Sequence, residues 1–178
     1  MFEKRLVKTA FAVTLLISIA SCNILSQSLS SNGPIAEAKT RKKVVAEAKL
    51  RNDIIEFAQD YVGSKYRPAG KSPTTGFDCS GFVHFVMQKY AIEMAPSSAS
   101  QEKQGLKISM RDAQPGDLVF FRRTKDGRVF HVALIVDNDD GDLTIIHSTS
   151  RGVVIDRIQD SAYWRSKVMT LRNVVSGP

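Results

Sequence analysis

The chain has 178 residues, 43% of them hydrophobic and 24% charged, with a formal net charge of +7. These are globular values with room for one ordinary domain plus a leader. The mildly basic balance suits an acidic polymer or a membrane surface, and no basic run is interleaved with aromatics, so nucleic acid is not an expected partner.

The chain opens on a short charged region, MFEKRLVK, followed by twelve uncharged apolar residues, TAFAVTLLISIA (9–20). That length fits a signal-peptide core and is too short to span a bilayer comfortably. The run ends in Ile19-Ala20-Ser21-Cys22, which resembles the cleavage box of bacterial lipoproteins. The resemblance implies a signal peptide over 1–21 and a diacylglycerol on the Cys22 sulfur. Acyl chains burying about 0.8 kcal/mol per methylene would then hold the protein at a membrane. An ordinary secretory signal with an incidental cysteine is the alternative. Residue 23 is asparagine, not the aspartate that commonly retains lipoproteins at the inner membrane. The expected location is therefore the outer membrane, facing the periplasm, if the organism is Gram-negative.

Residues 22–42 read as a lipidated cysteine and a flexible tether rich in Ser, Asn, Lys and Ala. One domain is expected over 43–178, most simply a monomer. Leu50, Ile54, Phe57, Ala58 and Tyr61 form an apolar stripe that predicts a helix over 43–62, ended by Gly63. Residues 64–78 hold two prolines and two glycines and read as a loop. A second helix is predicted over 79–90, with Asp78 as its N-cap and Phe82, Val83, Val86, Met87 and Tyr90 buried. Residues 95–101 look like a short helix start, where Ser98 and Gln101 have capping-box spacing. After the turn at Gln114-Pro115-Gly116 the pattern alternates. Strands are predicted at 117–121, 130–136, 142–148, 153–155 and 167–173. Helices first and strands second make an α+β fold, with N-terminal helices packed on an antiparallel β-sheet.

The chain has only two cysteines. If Cys22 is lipidated, Cys79 has no disulfide partner. An unpaired thiol in an exported compartment is a liability unless it is buried or used. His84 follows Cys79 by five residues on the same helix and so points about 140° away, as a surface or packing residue. His131 and His147 flank a hairpin whose turn is read as residues 138–141. A symmetric register sets them directly opposite each other, with rungs Ala133–Ile145 and Ile135–Leu143 between them and the turn. A slip of one residue would separate the faces. A helix N-terminus and a nearby imidazolium both lower a thiol pKa. A nucleophile, its base and a group that orients the base are the general parts of such a site. Cys79 would be the nucleophile, His131 the base and His147 the orienting residue. The alternatives are a merely buried cysteine with solvated histidines, and a zinc site of Cys79, His131 and His147 that lacks an obvious fourth ligand.

From about residue 55 onward, the segments AQDYVGSKYRPAG, FDCSGFVHFV, PSSASQ, QPGDLVFF, HVALIV and IIHSTSRGVVI resemble the NlpC/P60 family of cell-wall cysteine peptidases. The resemblance implies a papain-like fold with the nucleophile at a helix N-terminus, no cofactor and no metal. It implies peptidoglycan as the partner, cut in its stem peptides or cross-links at the D-Glu–diamino acid or D-Ala–diamino acid bond. By position, Cys79 is the nucleophile, His131 the base and His147 the third polar residue. Tyr66 would face the site and hold substrate or oxyanion with its hydroxyl. Asp78 would cap the helix and Ser80 line the site. Ser97, Ser98 and Gln101 fall where family members line the substrate groove, although capping explains Ser98 and Gln101 equally well. Asp117 matches a family position that a strand-entry turn explains by itself. Pro68-Ala69-Gly70 replaces the frequent Trp-Gly-Gly, Ala133 the usual glycine, and Ala95-Pro96 the common Pro-Arg. These departures lie where the groove wall should be and bear on substrate preference. A non-catalytic peptidoglycan-binding lipoprotein and a thiol-dependent lipid acyltransferase or hydrolase are the competing functions. A depressed Cys79 pKa, and hence fast alkylation near neutral pH, is expected of the peptidase.

Overall fold

The computed structural model describes residues 33–176. The expected signal peptide over 1–21, the expected lipidation site Cys22 and the first part of the expected tether lie outside the described residues. The first helix, α1 (Pro34–Gln59), begins nine residues before the apolar stripe predicts. Its early turns are Ala, Glu, Lys and Arg, good helix formers, with Glu37 in the first turn and a proline at the opening position. The same composition reads as a tether because an exposed helix carries no apolar period.

From Lys42 onward the chain forms one compact unit. Its sheet has six antiparallel strands in the order β3 (Leu106–Ile108), β8 (Val168–Asn173), β4 (Leu118–Arg122), β5 (Val129–Asp139), β6 (Asp142–Thr149) and β7 (Gly152–Arg157). The edge strand β3 carries no strong strand signal in sequence. Two residues each of β1 (Lys71–Ser72) and β2 (Gly76–Phe77) pair within the loop that precedes α2 (Cys79–Gln88). Two short helices complete the unit, α3 (Ser98–Gln101) and α4 (Ala162–Arg165).

Alternate residues of β4 and β5 serve two cores. Leu118, Phe120, Val132 and Leu134 pack with Ile54, Phe82, Val83 and Val86 of the helices. Val119, Phe121, Ala133 and Ile135 pack with Leu143, Ile145 and Ile158, against which Trp164 of α4 lies. With both faces covered, these strands read as continuous apolar runs.

The β5–β6 hairpin corrects the predicted register. Asp139 pairs with Asp142, so the turn is the two residues Asp140 and Gly141, with φ +47° and +98°. Positive φ at both positions is the type I′ turn that Asp-Gly favours. A bulge between Ile135 and Asp137 then gives the rungs Ile135–Ile145 and Leu134–Ile146. The next rung in step is Ala133 opposite His147, so His131 lies diagonal to His147 instead of directly opposite. The net slip is two residues, which preserves the shared face.

Candidate active site

Asp78 caps α2 as expected: its carboxylate accepts from the Gly81 N–H at 2.7 Å and from the Ser80 hydroxyl at 3.0 Å. Gly81 is required here. A Cβ at this position would stand 2.0 Å from the Gly70 carbonyl oxygen. The same carbonyl accepts the Asp78 N–H at 3.0 Å. The loop carrying Tyr66, itself bridged to Phe77, is thereby pinned against the helix start. Tyr66 remains exposed at the site. Burial and the negative fields of Cys79 and Asp78 hold its hydroxyl above the ordinary tyrosine value.

Cys79 is the first residue of α2 and is half-buried. The backbone N–H groups of Val132, Ser80 and Cys79 itself favour the thiolate. Burial outweighs them and, with Asp78, raises the thiol above its ordinary 9.0. His131 is 7% exposed. Burial and the neighbouring His147 push its pKa down to about 3. The expected imidazolium is therefore absent, and the expected depressed thiol is replaced by a neutral thiol and a neutral imidazole. Helix-terminus placement is visible in sequence; the depth of burial that overrides it is not. Among the described residues no hydrogen bond joins Cys79 to His131. The Val132 N–H, one of the groups that favour the Cys79 thiolate, belongs to the peptide bond directly after His131.

His131 Nε2 and His147 Nδ1 are 2.9 Å apart, and His147 Nε2 lies 3.0 Å from Asp156 Oδ2. His147 is completely buried. Burial lowers its pKa against the pull of Asp156. Burial alone would raise Asp156; hydrogen bonds from His147 and from the Arg151 guanidinium outweigh it and hold the carboxyl below its ordinary value. Trp164 stacks on His131 with centroids 4.7 Å apart and meets His147 edge-on at 5.0 Å. Phe121 and Phe130 close the other sides. The ring pair is thus shielded from water. The two ring nitrogens that a zinc ion would share face each other instead. Among the described residues no three His, Cys, Asp or Glu side chains are placed to hold a metal.

The remaining candidates divide. Ser80 is buried, with its hydroxyl directed to Asp78 and the Pro96 carbonyl. Ser97, not Ser98, caps α3, its hydroxyl accepting the Ser100 N–H. Ser97 is exposed and Ser98 half-buried. Gln101 is fully buried, and its amide donates to the carbonyls of Ser80 and Ala95 at 3.0 and 2.9 Å. With no surface left for a ligand, it braces α3 against α2 and does not line a groove. A capping-box glutamine and a buried brace are the same amide in sequence. His84 bonds the Met94 carbonyl oxygen at 2.9 Å, a packing role as expected. Asp156 and Trp164 escape the sequence reading. The only trace of Asp156 is a carboxylate in the short run Val153–Asp156. Placing it requires the tight β6–β7 turn, which sets Asp156 opposite Ile145 and hence diagonal to His147.

A profile of the NlpC/P60 family matches residues 63–173. The chain is 30% identical over 167 residues to the gamma-DL-glutamyl hydrolase of Bacillus subtilis, covering 92% of this chain and 37% of that protein. It is 29% identical over 178 residues to murein DD-endopeptidase MepS/murein LD-carboxypeptidase of Escherichia coli, covering 94% of this chain and 90% of that one. The chain thus spans little more than a third of the first relative and most of the second. The crystal structure of an NlpC/P60 family protein from Bacillus cereus superposes with a TM-score of 0.64 at 29% identity, over 70% of this chain and 40% of that one.

Proposed function

The chain belongs to the NlpC/P60 family, and from that premise we propose that it is a cysteine endopeptidase hydrolysing peptide bonds in peptidoglycan stem peptides or cross-links. The observation that carries the reading is the His131 imidazole, whose Nε2 is already engaged by His147, in a chain that sets its one described thiol at a capped helix N-terminus. That leaves the Nδ1 of His131 to act on the thiol.

The resting thiol and imidazole are both neutral, so His131 acts as a general base at the moment of attack. Nδ1 takes the Cys79 proton as the sulfur adds to the scissile carbonyl. The N–H groups of Cys79 and Ser80, at the positive end of α2, face the developing oxyanion. Tyr66 adds a hydroxyl donor from the pinned loop. The protonated His131 then gives its proton to the leaving amine, and the acyl group remains on sulfur as a thioester. A water molecule, deprotonated by His131, cleaves the thioester, releasing the acid and returning the thiol. Hydrogen bonds of this kind tighten on substrate binding, and the thiol–imidazole bond is expected to form there.

The relatives' names, a gamma-DL-glutamyl hydrolase and a murein DD-endopeptidase, support the D-Glu–diamino acid and D-Ala–diamino acid bonds as the two candidates. They also support action outside the cytoplasm. The Cys22 cleavage box supports a lipid anchor, at the outer membrane if the organism has one. Ser97, Ser98 and Tyr66 would meet the stem peptide.

Purified full-length protein and its Cys79→Ala variant, each in detergent, are incubated with sacculi and the released muropeptides identified by mass spectrometry. Products from the wild type alone are expected and name the bond. Equal products from both variants would end this mechanism; products from neither would favour the binding or lipid-acyl function.

A further inference from the structure

We propose that Asp156 is a positioning residue that fixes the tautomers of His147 and His131 in series, and so keeps His131 Nδ1 free of a proton. The inference rests on the peptidase reading, because only a proton acceptor at Cys79 gives that nitrogen a task.

The argument is one of donors and acceptors. A neutral imidazole has one N–H and one lone pair. Two neutral rings joined by a single hydrogen bond can order their protons in either direction. In one order His147 donates from Nδ1 to His131 Nε2, and the His131 proton then sits on Nδ1, where it blocks acceptance from the thiol. In the other order His131 donates from Nε2 and its Nδ1 is bare. The 2.9 Å contact between the rings is the same for both. The choice has to come from His147 Nε2, and its partner is a carboxylate oxygen 3.0 Å away. An ionised carboxylate only accepts. His147 Nε2 must therefore carry its proton, His147 Nδ1 must accept, and His131 Nε2 must donate.

The surroundings make the choice firm. His147 is faced by His131 from β5, Asp156 from β7, Arg151 from the β6–β7 turn and Trp164 from α4. Arg151 holds Asp156 ionised, and its own positive charge opposes a second proton on His147. The ring is fully buried, so water does not offer a competing acceptor. Among the described residues the Asp156 carboxylate hydrogen-bonds to His147 and Arg151, and it acts on His131 only through the two rings.

The test reads the tautomers directly. The full chain is labelled with nitrogen-15 in its histidine rings, and two-bond proton–nitrogen correlations are recorded at neutral pH, with His84 identified through His84→Gln. The wild type is expected to show a protonated Nε2 and a bare Nδ1 on both His131 and His147. Asp156→Ala should give a mixture, with a protonated Nδ1 on His131, and should slow Cys79 alkylation by roughly tenfold or more. Asp156→Glu should restore the wild-type pattern. A protonated Nδ1 on either ring of the wild type would overturn the proposal, as would unchanged tautomers and alkylation in Asp156→Ala. If Asp156→Ala does not fold, the wild-type spectrum decides alone. None of these readouts uses peptidoglycan, so failure of this proposal and failure to cleave sacculi are told apart.

Discussion

Two chains of buried polar side chains run through this molecule, and they end differently. One centres on Arg51, which is 3% exposed. Its Nε donates to Glu47, its Nη1 to Asp117 and the Pro115 carbonyl, and its Nη2 to Asn173 and Ser176, all between 2.8 and 3.1 Å. This network ties α1 to the entry of β4 and to the end of β8. The other runs from Asp156 through His147 to His131. Both contain groups whose pKa burial displaces, Asp117 upward and His131 downward. Perturbation by itself therefore does not mark a site. What separates the two is the unspent atom. Every guanidinium nitrogen of Arg51 is committed, whereas the histidine chain stops at His131 Nδ1, which takes no hydrogen bond among the described residues. The first chain can only hold; the second can also react.

Mutation should split the two networks cleanly. The largest effect is expected at the open end: Cys79→Ala loses all hydrolysis of sacculi, while its thermal midpoint stays within a few degrees of wild type by calorimetry. Arg51→Met should do the reverse. It strands the buried Asp117 carboxylate and should cost about 3–5 kcal/mol in urea unfolding, while the folded fraction keeps its specific activity. Lost activity with unchanged stability in Arg51→Met would erase the distinction. His147→Ala comes next. Removing the group that orients His131 should lower kcat by roughly 10–100-fold, less than loss of the thiol, because a neighbour or a water can partly replace an orienting hydrogen bond.

The two networks were also unequally legible in sequence. Asp78, Cys79 and the shared face of His131 and His147 are local features: a cap, a helix start and a period-two alternation on neighbouring strands. They survive even a register error, because the type I′ turn at Asp140-Gly141 and the bulge after Ile135 together slip the hairpin by two residues, an even number. Asp156 and Trp164 reach the site from β7 and from a four-residue helix, and no periodicity links them to the histidines. Gln101 shows the opposite failure, where a hydrogen-bonding side chain at a plausible position turns inward to brace backbone carbonyls. The early start of α1 was hidden because an exposed helix and a polar linker share a composition. The raised thiol pKa was hidden because burial is a property of the packed fold.

The finest test of the comparison is the response to acid. His131 is held at about 3 in the folded chain against an ordinary 6.5. Between those values the unfolded state takes a proton that the native state refuses. The stability tied to His131 is thus complete above pH 6.5 and is lost as pH falls towards 3, by about 1.4 kcal/mol per pH unit at most. His147 is lowered by burial too and acts in the same sense, and the depressed Asp156 adds to it at lower pH. Asp117 has the opposite sign: its carboxyl is raised, so the native state takes up a proton ahead of the unfolded chain and acid relieves that carboxylate, while the lowered Glu47 of the same network acts the other way. Thermal midpoints recorded from pH 7 to 4 should therefore fall in the wild type, and the fall should be shallower in His131→Gln, which keeps the polarity of the position but does not titrate. A parallel fall in both proteins would place the acid sensitivity elsewhere and remove the electrostatic contrast between the two networks.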